Sequence, residues 1–142
     1  MVASLTSPLL VGIYSNGNLI KKIETNERVS EALVCILDEL SSSYDIKKII
    51  YANTPGSFMG LKVAYVVLKT FSIIKNCDFF AISGFELTNN MPIKANKILS
   101  FVKDKDDIVL KKVENANLSL PLNLENLKLN SDTLPNYVIQ AV

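Results

Sequence analysis

The opening part of the chain alternates short apolar runs with turn residues, which is the pattern of a small antiparallel sheet. The runs cover residues 2–6, 9–14 and 19–25, and they are separated by Ser7-Pro8 and Asn16-Gly17. An Asn-Gly pair between two apolar runs is the signal of a tight hairpin turn. We therefore predict three strands joined as an antiparallel meander.

The spacing then becomes helical. Ser30 is a favourable N-cap residue, and it predicts a first helix over residues 30–42. The apolar residues that share one face of this helix are Leu33, Ile36, Leu37 and Leu40. Their spacing at i, i+3, i+4 and i+7 is that of an amphipathic helix packed on a core.

A strand, a long helix and another strand follow. Residues 48–52 form a continuous apolar run, a helical pattern extends from residue 57 or 60 to residue 75, and residues 79–83 form the next run. A continuous apolar run indicates a strand covered on both faces. A strand-helix-strand unit of this length predicts a parallel pair with a right-handed crossover, followed by a short helix at 84–88.

The character of the chain changes near residue 90. Residues 97–103 and 108–113 predict a hairpin across 104–107, and four leucines then alternate with other residues between positions 118 and 124. Pro121 in that alternation favours an edge strand or extended chain. We predict a domain over residues 1–90 and a reduced second domain or appendage over residues 91–142.

Composition removes several classes of protein. The 142 residues carry a net charge of +1, so binding of nucleic acid through bulk positive charge is excluded. The chain has no histidine, which excludes Ser-His-Asp catalysis and histidine zinc sites. Cys35 and Cys77 are predicted to be buried thiols. The apolar runs are too short to span a membrane and the first residues do not resemble a signal peptide, so a cytoplasmic location without membrane attachment is expected.

The segment from Thr54 to Lys62 has spacing that could carry chemistry. Gly56 and Gly60 lie four residues apart between a buried strand and a helix. One interpretation is a loop that contacts phosphate through a helix N-terminus. It is not a P-loop, because the glycine spacing is one residue short and Leu61 precedes the lysine. The other interpretation is a tight turn in which Gly60 packs against its neighbours.

This segment resembles the TsaB (YeaZ) family of tRNA threonylcarbamoyladenosine biosynthesis proteins, whose motif is approximately Gly-Pro-Gly-Ser-Phe-Thr-Gly-Leu-Arg. The matching positions are Pro55, Gly56, Ser57, Phe58, Gly60 and Leu61, and Lys62 stands at the arginine position. Met59 and Thr54 differ from the family's threonine and glycine. Residues 79–87 are similar to the strand and helix start that follow in the family.

The resemblance implies an α/β fold of the actin-like ATPase (ribonuclease H-like) class, with a five-stranded mixed sheet and flanking helices, plus a reduced C-terminal α/β remnant. It implies a non-catalytic subunit that binds the TsaD paralogue, with TsaE joining the assembly. The complex transfers a threonylcarbamoyl group to the adenosine beside the tRNA anticodon. ATP and metal are then expected on the partner, with no cofactor or metal in the isolated chain, and tRNA is met only through the complex.

Two departures from the family bear on function. The family's first strand commonly ends in Asp-Thr-Ser, whereas this chain has Leu5-Thr6-Ser7. Leucine cannot serve the metal or phosphate chemistry of that aspartate, so no catalytic residue is expected. The second domain is also much shorter than is typical, although residues 134–138 are similar to the family's terminal Pro-x-Tyr-Leu-Arg segment.

Both predicted helices are apolar on more than one face, which predicts that they lie side by side and present a partner surface. The candidate contacts are Leu33, Leu37, Leu61, Tyr65, Leu68 and Ser72. Two alternatives remain open. One is a small kinase-like or hydrolytic enzyme that uses the loop from Gly56 to Gly60, and the other is a self-contained regulatory homodimer.

Overall fold

The computed structural model describes residues 1–138. The elements of its first part are strands β1 (Val2–Ala3), β2 (Leu9–Ser15) and β3 (Asn18–Thr25), helix α1 (Val29–Ser43), strand β4 (Lys48–Thr54), helix α2 (Phe58–Lys75) and strand β5 (Asp78–Ser83). A short 3-10 helix (Gly84–Leu87) follows, and then come strands β6 (Ile93–Lys94), β7 (Ser100–Asp104) and β8 (Asp107–Lys111).

Strands β1 to β5 form one mixed sheet in the order β3-β2-β1-β4-β5. The first three strands pair antiparallel, while β4 lies parallel to both β1 and β5. The predicted meander and the predicted parallel strand-helix-strand unit are therefore both confirmed. Asn16 and Gly17 both have positive φ in the turn between β2 and β3, the conformation that a two-residue hairpin requires.

Strand β1 is shorter than the predicted run of residues 2–6. The two residues after Ala3 turn away from the sheet towards α2, where the Ser4 hydroxyl donates to Gly60 O over 3.1 Å. The Leu5 carbonyl accepts from Ser57 N at 3.4 Å. These contacts replace the pairing that a longer strand would have made.

Helices α1 and α2 lie side by side on one face of the sheet, as the apolar patterns predicted. The core on this face joins Leu33 and Leu37 of α1, Ala64 and Leu68 of α2, and Tyr51 of β4. The predicted cap of α1 is wrong. The helix begins at Val29, and its N-cap is Arg28, which makes no side-chain capping hydrogen bond. Ser30 already lies inside the first turn and is exposed.

The other face of the sheet is covered by the C-terminal part of the chain. There Ile93, Phe101 and Leu120 are buried in one cluster with Leu10 and Ile82. Strands β6, β7 and β8 form a separate antiparallel sheet, and the predicted hairpin is the pair β7–β8. The α component predicted for this remnant is wrong for residues 91–138, which hold these strands and extended chain but no α-helix. The division at residue 90 stays a prediction.

The two thiols differ in their surroundings. Cys77 is half-buried, and its Sγ donates to Ile46 O over 3.0 Å. Burial raises the pKa of the Cys77 thiol, so it is a poor nucleophile. Cys35 is exposed on α1, and its predicted burial is therefore wrong. The core-facing positions of that helix are taken by the leucines on either side of it.

Within the described part of the chain, no helix combines the length and the apolar character needed to cross a bilayer.

Candidate functional site

The motif forms the connection from the end of β4 to the start of α2. Ser57 is the N-cap of α2, and its Oγ accepts a hydrogen bond from Gly60 N over 3.0 Å. This bond satisfies one of the amides that a helix start leaves without a partner. Phe58 then opens the helix, and Leu61 of its first turn is completely buried. The serine of the motif therefore acts as the start signal of the helix.

Three of the five glycines in the chain close around the segment Ser4–Leu5. A Cβ added at Gly56 would lie 2.7 Å from Leu5 Cα, and one added at Gly60 would lie 2.7 Å from Ser4 O. A Cβ at Gly84 would collide with Leu5 Cδ1 and lie 2.9 Å from Thr54 O. These glycines allow backbone to approach backbone, which no residue with a Cβ permits at these positions.

The centre of this arrangement is Leu5, which is only 2% exposed. It stands at the position that matches the aspartate ending the first strand in the resembled family, here two residues past β1, and its side chain fills the space between Gly56 and Gly84. The glycine spacing is thus used for close packing around an apolar side chain. This geometry favours the tight-turn interpretation of the motif over the phosphate loop.

We expect Gly60→Val to destabilise the chain by about 1–3 kcal/mol, the usual effect of overpacking. The new side chain would meet the Ser4 carbonyl, which is backbone and cannot turn aside, and would displace the Ser57 cap. Urea unfolding followed by circular dichroism measures the change. The matched control is Gly17→Asn, at a position with positive φ and no atom within 4 Å of its Cβ. A Gly60→Val variant as stable as the parent would contradict the close approach.

The last described residues, 130–138, form an extended C-terminal strap that crosses the ends of β4 and β5. Asn130 and Ala81 exchange two backbone hydrogen bonds of 2.8 Å, which pair the strap with the free edge of β5. Farther along, the Tyr51 hydroxyl donates to Thr133 O. Burial raises the pKa of Tyr51, so this hydroxyl stays protonated and remains a donor.

The strap ends on the motif. Asn53 Nδ2 donates to Leu134 O over 3.0 Å, and Asn136 N donates to Asn53 O over 3.0 Å. The Tyr137 ring then lies 4.5 Å from the ring of Phe58, measured between centroids. Lys62 Nζ lies 5.8 Å from the centre of the same Phe58 ring. The aromatic residue of the motif is thus an anchor for the C-terminal strap, a role that the motif alone did not reveal.

Most of the predicted partner contacts are unavailable. Leu33, Leu61 and Leu68 are completely buried, and Leu37 and Ser72 are 6% exposed. Only Tyr65 reaches the surface in part, and its ring lies 6.5 Å from that of Tyr51. The selection of the five buried residues as surface contacts is wrong, because α2 turns the line Leu61–Ala64–Leu68–Ser72 towards the sheet and α1, while Tyr65 stays a prediction.

A different set of apolar side chains lies on the outside of the helices. Met59, Val66 and Ile73 are 61%, 53% and 69% exposed. They follow one another at intervals of seven residues, so they form one line along α2. Ile74 on the same helix and Val34 on α1 are also exposed. We call Met59, Val66 and Ile73 the outer line of α2.

The described residues offer little for metal binding. Within residues 1–138, no group of three or more cysteine or carboxylate side chains lies close enough together to hold an ion. The ion pair found in this part of the chain joins Lys47 Nζ to Asp45 Oδ2 over 2.9 Å. Both side chains are 81% exposed, so the pair contributes little to stability.

Comparison with known proteins yields a structural likeness only. No protein-family model and no curated protein matches the sequence. A solved structure called YeaZ from Pseudomonas aeruginosa is similar, with a TM-score of 0.57, 14% identity, and coverage of 82% of this chain and 65% of that one.

An uncharacterized protein with similarity to peptidase YEAZ, from Pseudomonas aeruginosa, matches with the same TM-score and identity and coverage of 78% of this chain and 61% of that one. The chain therefore has the α/β fold of YeaZ, as predicted, and spans about two-thirds or less of the length of these two proteins.

Proposed function

We propose that the chain is a non-catalytic subunit of the TsaB (YeaZ) type, which binds the TsaD paralogue and supports threonylcarbamoyl transfer to the adenosine beside the tRNA anticodon. In this proposal TsaD holds ATP and metal, TsaE joins the larger assembly, and tRNA is contacted only through the complex. The proposed place of action is the cytoplasm, where tRNA is modified.

The observation that carries the non-catalytic proposal is the closed environment of Leu5. A metal or phosphate needs polar ligands at the end of the first strand, and here an apolar side chain fills that position. The amide of Gly60 is already bonded to Ser57 Oγ, so it is not offered to an anion. The chain matches six positions of the motif, but it has Leu5 where metal or phosphate chemistry would require an aspartate.

The outer line of α2 supports the proposal of a protein partner. Large apolar side chains exposed at a seven-residue interval are what a helix presents to another helix. An isolated exposed residue would need no such explanation, but an aligned set is typical of interaction sites. The same line could instead meet its own copy across a two-fold axis, which is the homodimer alternative.

The experiment is affinity capture on a tagged TsaD paralogue from the same cells, comparing the parent chain with Val66→Glu. Val66 is half-exposed, so a glutamate there stays solvated in the free chain but is desolvated at an interface. We expect capture of the variant to fall at least about 10-fold, as for a central interface residue. The matched control is Leu122→Glu, because Leu122 is 79% exposed and its backbone is bonded to Leu19 of β3, not to α2, so this change should leave capture unchanged.

The outcomes separate the candidates. The TsaD partnership through α2 is supported if TsaD captures the parent and Leu122→Glu but no longer captures Val66→Glu. If the parent is not captured but is a dimer by light scattering, and Val66→Glu is a monomer, the homodimer alternative replaces it. Equal capture of both variants would place the interface elsewhere, and a monomeric parent without capture would overturn the proposal.

A further inference from the structure

A cavity of about 560 Å³, lined by both polar and apolar side chains, lies at the carboxyl ends of β4 and β5. Its walls come from the ends of β4 and β5, from the 3-10 helix, from β7, and from the C-terminal strap with Lys128 just before it. The carboxyl ends of parallel strands are where open α/β sheets commonly bind ligands. The volume falls in the range of small-molecule sites. The cavity borders the Leu5 environment through Thr54, and none of its wall residues belongs to the outer line of α2.

Two side-chain oxygens in the wall of this cavity have no hydrogen-bond partner among the described residues. They are Thr54 Oγ1 and Glu86 Oε2, and both are shielded from solvent. Thr54 is 8% exposed and stands where the family motif has glycine, so its hydroxyl is a particular feature of this chain. Buried side-chain oxygens are nearly always hydrogen-bonded, so each of these two calls for a donor that the described residues do not supply.

The charges around the cavity are of both signs. Lys103 and Lys128 line it together with Glu86 and Asp132. Neither lysine has a carboxylate within ion-pair distance in the part of the chain that the structure covers. Glu86 Oε1 accepts from the backbone N of Lys128 over 3.0 Å, which leaves Oε2 as the free acceptor. A ligand that complements both signs carries a cationic donor and an anionic acceptor in the same small molecule.

We propose that this cavity is a binding site for a free α-amino acid. The ammonium group donates to Glu86 Oε2 and Thr54 Oγ1, and the carboxylate faces Lys103 and Lys128. Both oxygens are shielded from solvent in the free chain, so binding takes a rotation of the Thr54 and Glu86 side chains, and the Glu86 rotation breaks its hydrogen bond to the Lys128 amide. Ile82, Phe85 and Leu134 provide an apolar wall for the ligand's own side chain. This site does not depend on the TsaD partnership and can be tested on the chain alone.

The test uses the full chain and the twenty protein L-amino acids, each titrated separately by calorimetry. The informative variant is Thr54→Val, which keeps the shape of the side chain but removes the hydroxyl. In the free chain this variant should raise the melting temperature, because an unpartnered buried hydroxyl is lost. It should also weaken binding of the preferred amino acid by about 10-fold, because a ligand hydrogen bond is lost. A purely structural threonine would not move these two readouts in opposite directions.

The Glu86 carboxylate and the two charged halves of the ligand can be tested separately. Glu86→Gln should weaken binding at least about 10-fold, since it removes a charge-assisted hydrogen bond. Asp106→Asn, in the exposed turn between β7 and β8 and outside the cavity, should leave binding unchanged. Sodium acetate and ethylamine each carry half of the ligand and should bind weakly or not at all. Binding of acetate as tightly as an amino acid would reduce the site to an anion site and overturn the proposal, as would the absence of binding by all twenty amino acids.

Discussion

A Leu68→Glu variant should fail to fold. Leu68 is completely buried, and it packs where α2, α1 and the sheet meet. The substitution removes a large apolar side chain from the core and introduces a carboxylate with no partner. Together these effects should exceed about 4 kcal/mol, which is a large part of the stability of an ordinary domain. Far-UV circular dichroism and thermal melting should show loss of helical signal and no cooperative transition.

Two neighbouring substitutions serve as controls for this result. Val66→Glu introduces the same charge two residues earlier on the same helix, where the side chain is 53% exposed, and should melt close to the parent. Leu68→Met keeps the volume and should cost less than about 1.5 kcal/mol. A folded Leu68→Glu protein would show that α2 presents a different face to the sheet.

A Leu5→Asp variant, which introduces the aspartate found in the TsaB (YeaZ) pattern that the sequence resembles, should be strongly destabilised. The carboxylate would replace a side chain that is 2% exposed and closed in by Gly56 and Gly84. A buried charge without a partner costs about 3–5 kcal/mol when no other group compensates it. Chemical unfolding at neutral pH measures the difference, and Leu5→Met is the control that keeps the site apolar.

The pH dependence of Leu5→Asp provides a second check. Burial would raise the pKa of the new carboxyl above its value in the unfolded chain, so the folded variant binds the extra proton more readily. Its stability relative to Leu5→Met should therefore recover as the pH is lowered from neutral through the raised pKa, and should be lost again as the pH rises. A variant as stable as Leu5→Met at neutral pH would mean that polar groups or water already reach this position.

Local sequence signals determined the order and type of the elements in residues 1–83. Asn16-Gly17 predicted the hairpin because its turn requires positive φ at both positions, and both have it. Ser57 and the glycines of the motif marked the connection from β4 to α2, since capping and close backbone approach depend on residue type. Ser30 was misleading because α1 starts one residue earlier, without a side-chain cap.

The C-terminal strap could not be predicted in this way. Its bonds join Asn130 to Ala81 and Thr133 to Tyr51, and its end reaches Phe58. Partners so far apart in the chain leave no periodic pattern, because each contact depends on where the intervening elements place the backbone. The similarity of residues 134–138 to a family segment was the only signal, and it did not indicate the Tyr137–Phe58 contact.

Which side of α2 packs in the core could not be predicted from the sequence and was decided by the tertiary structure. Apolar side chains occur nearly all round this helix. Their pattern therefore predicted the helix and an additional contact surface, but it did not distinguish the buried line of residues from the exposed one. The sheet and α1 together enclose the line through Leu68, and they leave the line through Val66 exposed. The rotation of α2 about its own axis is set by neighbours that are distant in sequence. For that reason only the tertiary structure could distinguish the core residues of α2 from its surface residues.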